Sequence, residues 1–122
     1  GEVLLIDMDT LCQGHPVFEL ASMYNAYVGF SELDHNVSMD FLGIPYDTSV
    51  AIWKKSLPLY LGTDDADKVA EVEQKAMLIG YTRLMRRRIR RNGFDSEEGR
   101  REIETYKNHI IELLDKVDTL EF

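Results

Sequence analysis

Apolar residues recur every three or four positions along most of the chain, and this spacing is typical of amphipathic helices that bury one face. Turn-forming residues interrupt the recurrence, most clearly Gly29, Gly62 and the pair Asn92-Gly93. The pattern predicts four to five helices, over about residues 16–28, 37–42, 47–61, 64–91 and 97–117. We therefore expect a mainly α-helical fold.

The two long helices at the end of the chain are expected to form an antiparallel hairpin. Their connection at Asn92-Gly93 is short, and short connections join helices that pack side by side. The last helix has a seam of apolar residues at helical spacing, formed by Ile103, Tyr106, Ile110, Leu113 and Val117. Earlier in the chain, Asp47 or Thr48 is expected to cap a helix that Pro58 kinks.

The apolar run Val3-Leu4-Leu5-Ile6 predicts a short buried strand, because it is aliphatic, partly β-branched and bounded by polar residues. No second convincing strand follows it, and an unpaired strand leaves backbone groups without partners. We therefore expect the segment from Glu2 to Ile6 to pair outside this sequence, to pair with a second copy in a homodimer, or to be disordered. A loop is expected over residues 10–16.

Composition limits the class of protein. The chain has 122 residues, 44% of them hydrophobic, which suits one domain made of a strand and loop (1–15), a helical segment (16–62) and a long hairpin (63–122). The formal net charge of −8 argues against a nucleic-acid partner, which would need a basic surface. Cys12 is the only cysteine, and no apolar run reaches the roughly 18 residues that span a bilayer. A cytoplasmic protein without a membrane partner is expected.

Two carboxylates, Asp7 and Asp9, directly follow the predicted strand. At positions i and i+2 of an extended backbone both would face the same side, and Mg²⁺ prefers such oxygen ligands. The alternative is that both are turn residues that cap nearby backbone N–H groups. The spacing alone leaves these two interpretations open.

The stretch Leu4-Leu5-Ile6-Asp7-Met8-Asp9-Thr10-Leu11 superficially resembles the opening motif of haloacid-dehalogenase-like phosphatases, an apolar strand followed by D-x-D-x-T. This resemblance would imply a phosphatase in which Asp7 is the nucleophile. That fold also needs several further parallel strands, each followed by a helix, and the sequence predicts none of them.

A closer resemblance covers about the first 25 residues. Ile6-Asp7, a short loop and then Gly14-His15-Pro16-Val17-Phe18-Glu19-Leu20-Ala21 is similar to the aminoglycoside-phosphotransferase-like branch of the kinase fold, which reads I-D, a loop, G-x-P and D-L-A. The resemblance implies that Asp7 holds the Mg²⁺ that bridges the nucleotide phosphates, with Asp9 near the same metal or a substrate. Glu19 stands where the family has an Asp that steadies the catalytic loop.

The resemblance implies only part of an enzyme. The nucleotide-covering loop, the phosphate-contacting Lys and the H-G-D…N catalytic loop of such kinases do not occur in this sequence. We therefore expect the C-terminal part of an ATP-dependent small-molecule phosphotransferase, supplying the metal-binding Asp and the acceptor side. Mg²⁺ and ATP would bind the complete enzyme, and this part alone should bind neither tightly and be inactive. The competing hypothesis is a non-enzymatic helical interaction module that binds its partner through the apolar seam or through an arginine cluster.

Three further features have two interpretations each. His15 is either an acid–base or ligand group on the acceptor side, or a loop residue that forms hydrogen bonds. Asp64 and Asp65 either help to bind a cationic acceptor or are charges at a helix N-terminus. The arginines between residues 83 and 91 either contact phosphate or form a solvated helix end that the helix dipole favours.

Overall fold

The computed structural model describes residues 1–9 and 11–122 of the chain, and the fold is mainly α-helical, as predicted. Five helices lie within these ranges: α1 (Val17–Tyr27), α2 (Asn36–Leu42), α3 (Tyr46–Leu61), α4 (Ala66–Arg90) and α5 (Glu97–Leu114). Short 3₁₀ turns at Gly29–Ser31 and Gly93–Asp95 follow α1 and α4. No helix in the described part of the chain combines the length and the apolar composition that crossing a membrane requires.

The start of α3 differs from the predicted cap. The helix begins at Tyr46, directly after Pro45, whose backbone is extended and has no N–H to satisfy. Asp47 instead lies in the first turn, where its carboxylate accepts a hydrogen bond from the Thr48 N–H at 2.9 Å. Pro58 lies inside α3 without ending it.

Helices α4 and α5 pack as an antiparallel hairpin, the arrangement that the sequence predicts. Near the connection, Arg88 Nε lies 2.7 Å from Glu102 Oε2. Further from it, the rings of Tyr81 and His109 stack with centroids 4.6 Å apart. The contacts therefore run backwards along α4 as they run forwards along α5.

The core lies where α1, α3 and α5 pack against α4. Trp53 of α3 and Tyr81 of α4 are each only 1% exposed. Other core residues are aliphatic or aromatic, and include Leu20, Tyr24, Leu57, Val72, Ala76, Leu84, Tyr106 and Leu113. The seam of α5 thus faces α4, and burial of this apolar surface is the main source of the fold's stability.

The predicted N-terminal strand is not formed, and the described residues contain no strand. Val3, Leu4, Leu5 and Ile6 are between 77% and 91% exposed. A strand needs a partner for its backbone groups, and the helices of this chain offer none. The expected loop is irregular from residue 11 to residue 15, and Thr10 lies outside the described residues.

Candidate functional site

The predicted metal ligands Asp7 and Asp9 are exposed on an irregular segment. The backbone of Asp7 is left-handed, with φ of 59°, a conformation that Asp adopts more readily than most residues. The Leu11 N–H donates to the Met8 carbonyl at 3.0 Å and closes a turn that contains Asp9. No group of three or more His, Cys, Asp or Glu side chains suited to a metal occurs in residues 1–9 and 11–122. The left-handed Asp7 also departs from the extended backbone that would direct both carboxylates to one side, and two carboxylates alone do not form a complete cage for Mg²⁺.

His15 connects the irregular segment to the helices. Its Nδ1 accepts a hydrogen bond from the Val17 N–H at 3.2 Å, at the start of α1. Its Nε2 lies 3.4 Å from the Glu121 carboxylate, and its ring meets Phe122 edge-on with centroids 5.0 Å apart. These contacts give His15 a structural role, which is the hydrogen-bonding alternative that the sequence left open.

Glu19 lies on the exposed side of the first turn of α1, where a carboxylate interacts favourably with the helix dipole. In the part of the chain that the structure describes, its side chain has no hydrogen-bond or ion-pair partner. The supporting role that the family resemblance implies for Glu19 would therefore need a partner beyond these residues.

Asp65 is the N-cap of α4. Its Oδ1 accepts hydrogen bonds from the backbone N–H groups of Asp67 and Lys68, at 3.0 and 3.4 Å. Asp64 is exposed beside a shallow cavity of about 350 Å³ between α3 and α4, which Lys54 also lines. Within the described residues neither belongs to a ligand group with Asp7, so capping accounts for Asp65 and nothing yet assigns a ligand to Asp64.

A partly buried polar network, which the periodicity does not reveal, joins α1, α4 and α5. The hydroxyls of Tyr24 and Tyr81 lie 2.9 Å apart, and the Tyr81 O–H donates to Glu32 Oε2 at 2.8 Å. Glu32 Oε1 in turn lies 3.3 Å from His109 Nε2. One signal was present in the sequence, because a tyrosine on a buried helix face needs a partner for its hydroxyl.

This network serves packing. Burial raises the pKa of Tyr24 and of Tyr81 well above the ordinary tyrosine value, and the Tyr81 pKa is raised further by the Tyr24 hydroxyl and the Glu32 carboxylate. Both phenols are 4% exposed or less, and their hydroxyls are satisfied within the protein. The network therefore joins three helices through hydrogen bonds that run from the buried phenols to the partly exposed Glu32 and His109.

Five exposed arginines line one groove of about 430 Å³ at the end of α4. We call this the arginine groove, and its residues are Arg83, Arg86, Arg87, Arg90 and Arg91. Uncharged groups hold two of them in place. Arg83 Nη1 donates to the Phe18 carbonyl at 2.9 Å and to Ser22 Oγ at 2.7 Å, while the Arg87 guanidinium lies 4.8 Å from the centre of the Phe30 ring.

A second groove, of about 670 Å³, shares Arg87 and Arg91 with the first. Apolar residues line much of it, among them Phe30, Leu33 and Phe41, and three acidic residues also line it, Asp34, Glu98 and Glu102. Leu33 is 46% exposed and Phe41 62% exposed, so the apolar part of this lining is open to solvent. The end of α4 therefore presents a cationic groove next to one of mixed apolar and charged lining.

Comparisons with family models, with curated proteins and with solved structures give no match for this chain. The family resemblance therefore stays confined to the N-terminal residues that carry it. For the residues of the helices, the possible roles follow from geometry, charge and burial alone.

Proposed function

We propose that this chain is the acceptor-side part of an ATP-dependent small-molecule phosphotransferase of the aminoglycoside-phosphotransferase-like kind. The observation that carries the proposal is the apolar run before Asp7. Val3, Leu4, Leu5 and Ile6 are at least 77% exposed, and contiguous aliphatic surface of this kind is a site for association. A sheet that supplied a partner strand would cover the run and place Asp7 at the end of a strand.

Each residue of the segment has a role in this proposal. Mg²⁺ bound with ATP neutralises the charge that develops on the phosphates. The Asp7 carboxylate would hold that ion, and Asp9 would contact the same ion or the acceptor. Glu19 contacts the catalytic loop contributed by the rest of the enzyme. His15 connects the segment to the start of α1 and to the C-terminal residues Glu121 and Phe122, so it would hold the segment beside the helices.

The test uses the natural reading frame that contains these residues. We expect it to encode a nucleotide-binding part and a catalytic loop, and the complete protein to hydrolyse or transfer the ATP γ-phosphoryl group in a Mg²⁺-dependent reaction. Asp7→Asn should lower turnover about 100-fold or more, because it removes charge from the metal site. The 122-residue chain alone should show no turnover.

A matched control is Asp40→Asn, which neutralises an exposed aspartate on α2. Turnover and the Mg²⁺ dependence of ATP binding should be unchanged in this variant. A reading frame without a nucleotide-binding part would refute the proposal. So would an Asp7→Asn protein that keeps the ATP turnover and the Mg²⁺ affinity of the parent.

The other hypotheses draw less support from the fold. Of the two surfaces that the interaction-module hypothesis offers, the seam is largely buried against α4, with Ile103, Tyr106 and Leu113 between 6% and 8% exposed, and the arginine cluster is exposed. A haloacid-dehalogenase-like site needs a parallel sheet behind its aspartates, and the described residues form no strand. The phosphotransferase proposal needs only one strand from this chain.

A further inference from the structure

The arginine groove concentrates positive charge in an otherwise acidic protein. The chain has 22 acidic and 14 basic residues, yet none of the five groove arginines has a carboxylate within 4.0 Å in the part of the chain that the structure describes. The adjacent Arg88, on another side of α4, does pair with Glu102. Carboxylates are therefore within reach of this helix, and the groove lacks them.

The groove arrangement works against the stability of the helix. Arg83 and Arg87 are four residues apart, as are Arg86 and Arg90, and like charges at this spacing repel. The helix dipole favours cations only within about the last turn, which leaves Arg83 and Arg86 unexplained. A bound anion would remove the repulsion and supply the missing partner charge.

We propose that the arginine groove binds a compact polyanion of the diphosphate type, that is, a small molecule with two adjacent phosphoryl groups. Guanidinium groups form paired hydrogen bonds with phosphoryl oxygens, and each has five N–H donors. Arg83 and Arg87 are already positioned by Ser22 and Phe30, so less side-chain freedom is lost on binding.

The size and the charge of the molecule favour a small ligand over a nucleic acid. The groove holds about 430 Å³, enough for a diphosphate group. A long polyanion would extend beyond it and meet the field of a protein whose net charge is −8. The proposal concerns the helical part of the chain, so it stands or falls independently of the phosphotransferase proposal.

The test measures the binding of inorganic pyrophosphate to the 122-residue chain, without nucleotide or metal, by calorimetry and by the thermal midpoint. We expect pyrophosphate to bind more tightly than inorganic phosphate, to raise the midpoint, and to shift the Nε–H signals of Arg86 and Arg90. The double variant Arg86→Gln, Arg90→Gln should lose about tenfold in affinity for each arginine, about 100-fold in all.

The control is Lys55→Gln, Arg101→Gln, which removes the same charge from exposed residues outside the groove. It should bind pyrophosphate like the parent. The midpoint without ligand is a second readout, because relief of repulsion should leave the groove variant as stable as the parent or more so. The proposal is wrong if the parent does not bind pyrophosphate, if both double variants lose equal affinity, or if a single-stranded oligonucleotide binds the groove more tightly.

Discussion

The helical body (residues 16–122) buries aliphatic side chains that the N-terminal segment (residues 1–15) leaves exposed. Val17 and Val72 in the body are fully buried, whereas Val3 and Ile6 in the segment are 91% and 83% exposed. Burial of aliphatic surface is the dominant favourable term in folding, so the body stabilises itself and the segment contributes little. Yet the segment carries Asp7, on which the proposed function depends. Stability therefore depends on the body and the candidate chemistry on the segment, and paired substitutions, one in each part, can test this difference.

The largest contrast is expected from apolar truncation. Trp53→Ala should lower the free energy of unfolding by about 3–5 kcal/mol, because it leaves a cavity in the core. It also removes the indole N–H that donates to Glu73 at 2.6 Å. Leu5→Ala, at a residue that is 77% exposed, should change it by less than about 0.5 kcal/mol. Urea denaturation followed by circular dichroism measures both values.

Equal losses of unfolding free energy in Trp53→Ala and Leu5→Ala would contradict the distinction between body and segment. In particular, a Leu5→Ala variant destabilised by more than about 1 kcal/mol would mean that the segment packs in solution. Concentration dependence of that loss would then point to packing against a second copy of the chain.

Two glycines give the next contrast. A Cβ on Gly99 would collide with the Gly93 carbonyl oxygen, at the close approach between α5 and the 3₁₀ turn that follows α4. Gly99→Ala should therefore cost about 1–3 kcal/mol, because backbone must move apart. Gly14→Ala, where the nearest atom outside the neighbouring residues is Phe18 Cδ2 at 4.0 Å, should be within about 0.5 kcal/mol of the parent. Thermal unfolding of the two variants under one condition tests this pair, and equal midpoints would contradict it.

The helices could be predicted because their signals are local. In α4, apolar residues at helical spacing mark the buried stripe, and Asn92-Gly93 marks the end. The strand could not be predicted in the same way. The run from Val3 to Ile6 has the composition of a buried strand, but whether a strand forms depends on a partner that local sequence does not specify.

The same distinction between local signals and tertiary contacts applies to the candidate sites. The sequence shows that arginines cluster between residues 83 and 91, but their pairing depends on which residues of α5 face them. Glu102 reaches Arg88 in the folded chain, while the groove residue Arg86 has no such partner within the described residues. Likewise Glu32 lies in a polar connection, and only the packing of α4 beside it brings it to Tyr81. Contacts between distant residues are set by tertiary packing, which periodicity does not encode.

A smaller effect is expected from the hydroxyl network of the body. Tyr81→Phe removes hydrogen bonds to Tyr24 and Glu32 and should cost about 1–2 kcal/mol at neutral pH. Tyr60→Phe, at an exposed tyrosine on α3, should change the stability by less than about 0.5 kcal/mol. Chemical denaturation of both variants separates the contribution of the network's hydrogen bonds from the effect of removing a tyrosine hydroxyl that lies outside the network.

The network also predicts the alkaline limit of the fold. Burial raises the pKa of Tyr24, Tyr81 and Tyr106 in the folded state, so the unfolded state loses these protons first. Stability should be constant with respect to these groups below about pH 10 and should fall as the pH rises above it. The fall should be shallower in Tyr81→Phe. Absorbance at the phenolate band during alkaline unfolding measures it, and a parent whose stability rises above that pH would contradict the assignment.

Charges placed in the exposed apolar run are expected to have the smallest effect on folding and the largest effect on association. Leu4→Lys with Ile6→Lys places charges on an edge that would otherwise pair with a second copy, and charged edges resist such pairing. We expect the parent chain to form dimers as its concentration rises, and the double variant to remain monomeric with a free energy of unfolding within about 0.5 kcal/mol of the parent monomer. Leu59→Lys with Leu114→Lys is the control, because both residues are exposed leucines of the body, 81% and 57% exposed, and it should dimerise like the parent. Analytical ultracentrifugation distinguishes the outcomes. A parent that stays monomeric, or a segment variant that still dimerises, would show that the exposed apolar run is not the surface through which this chain associates.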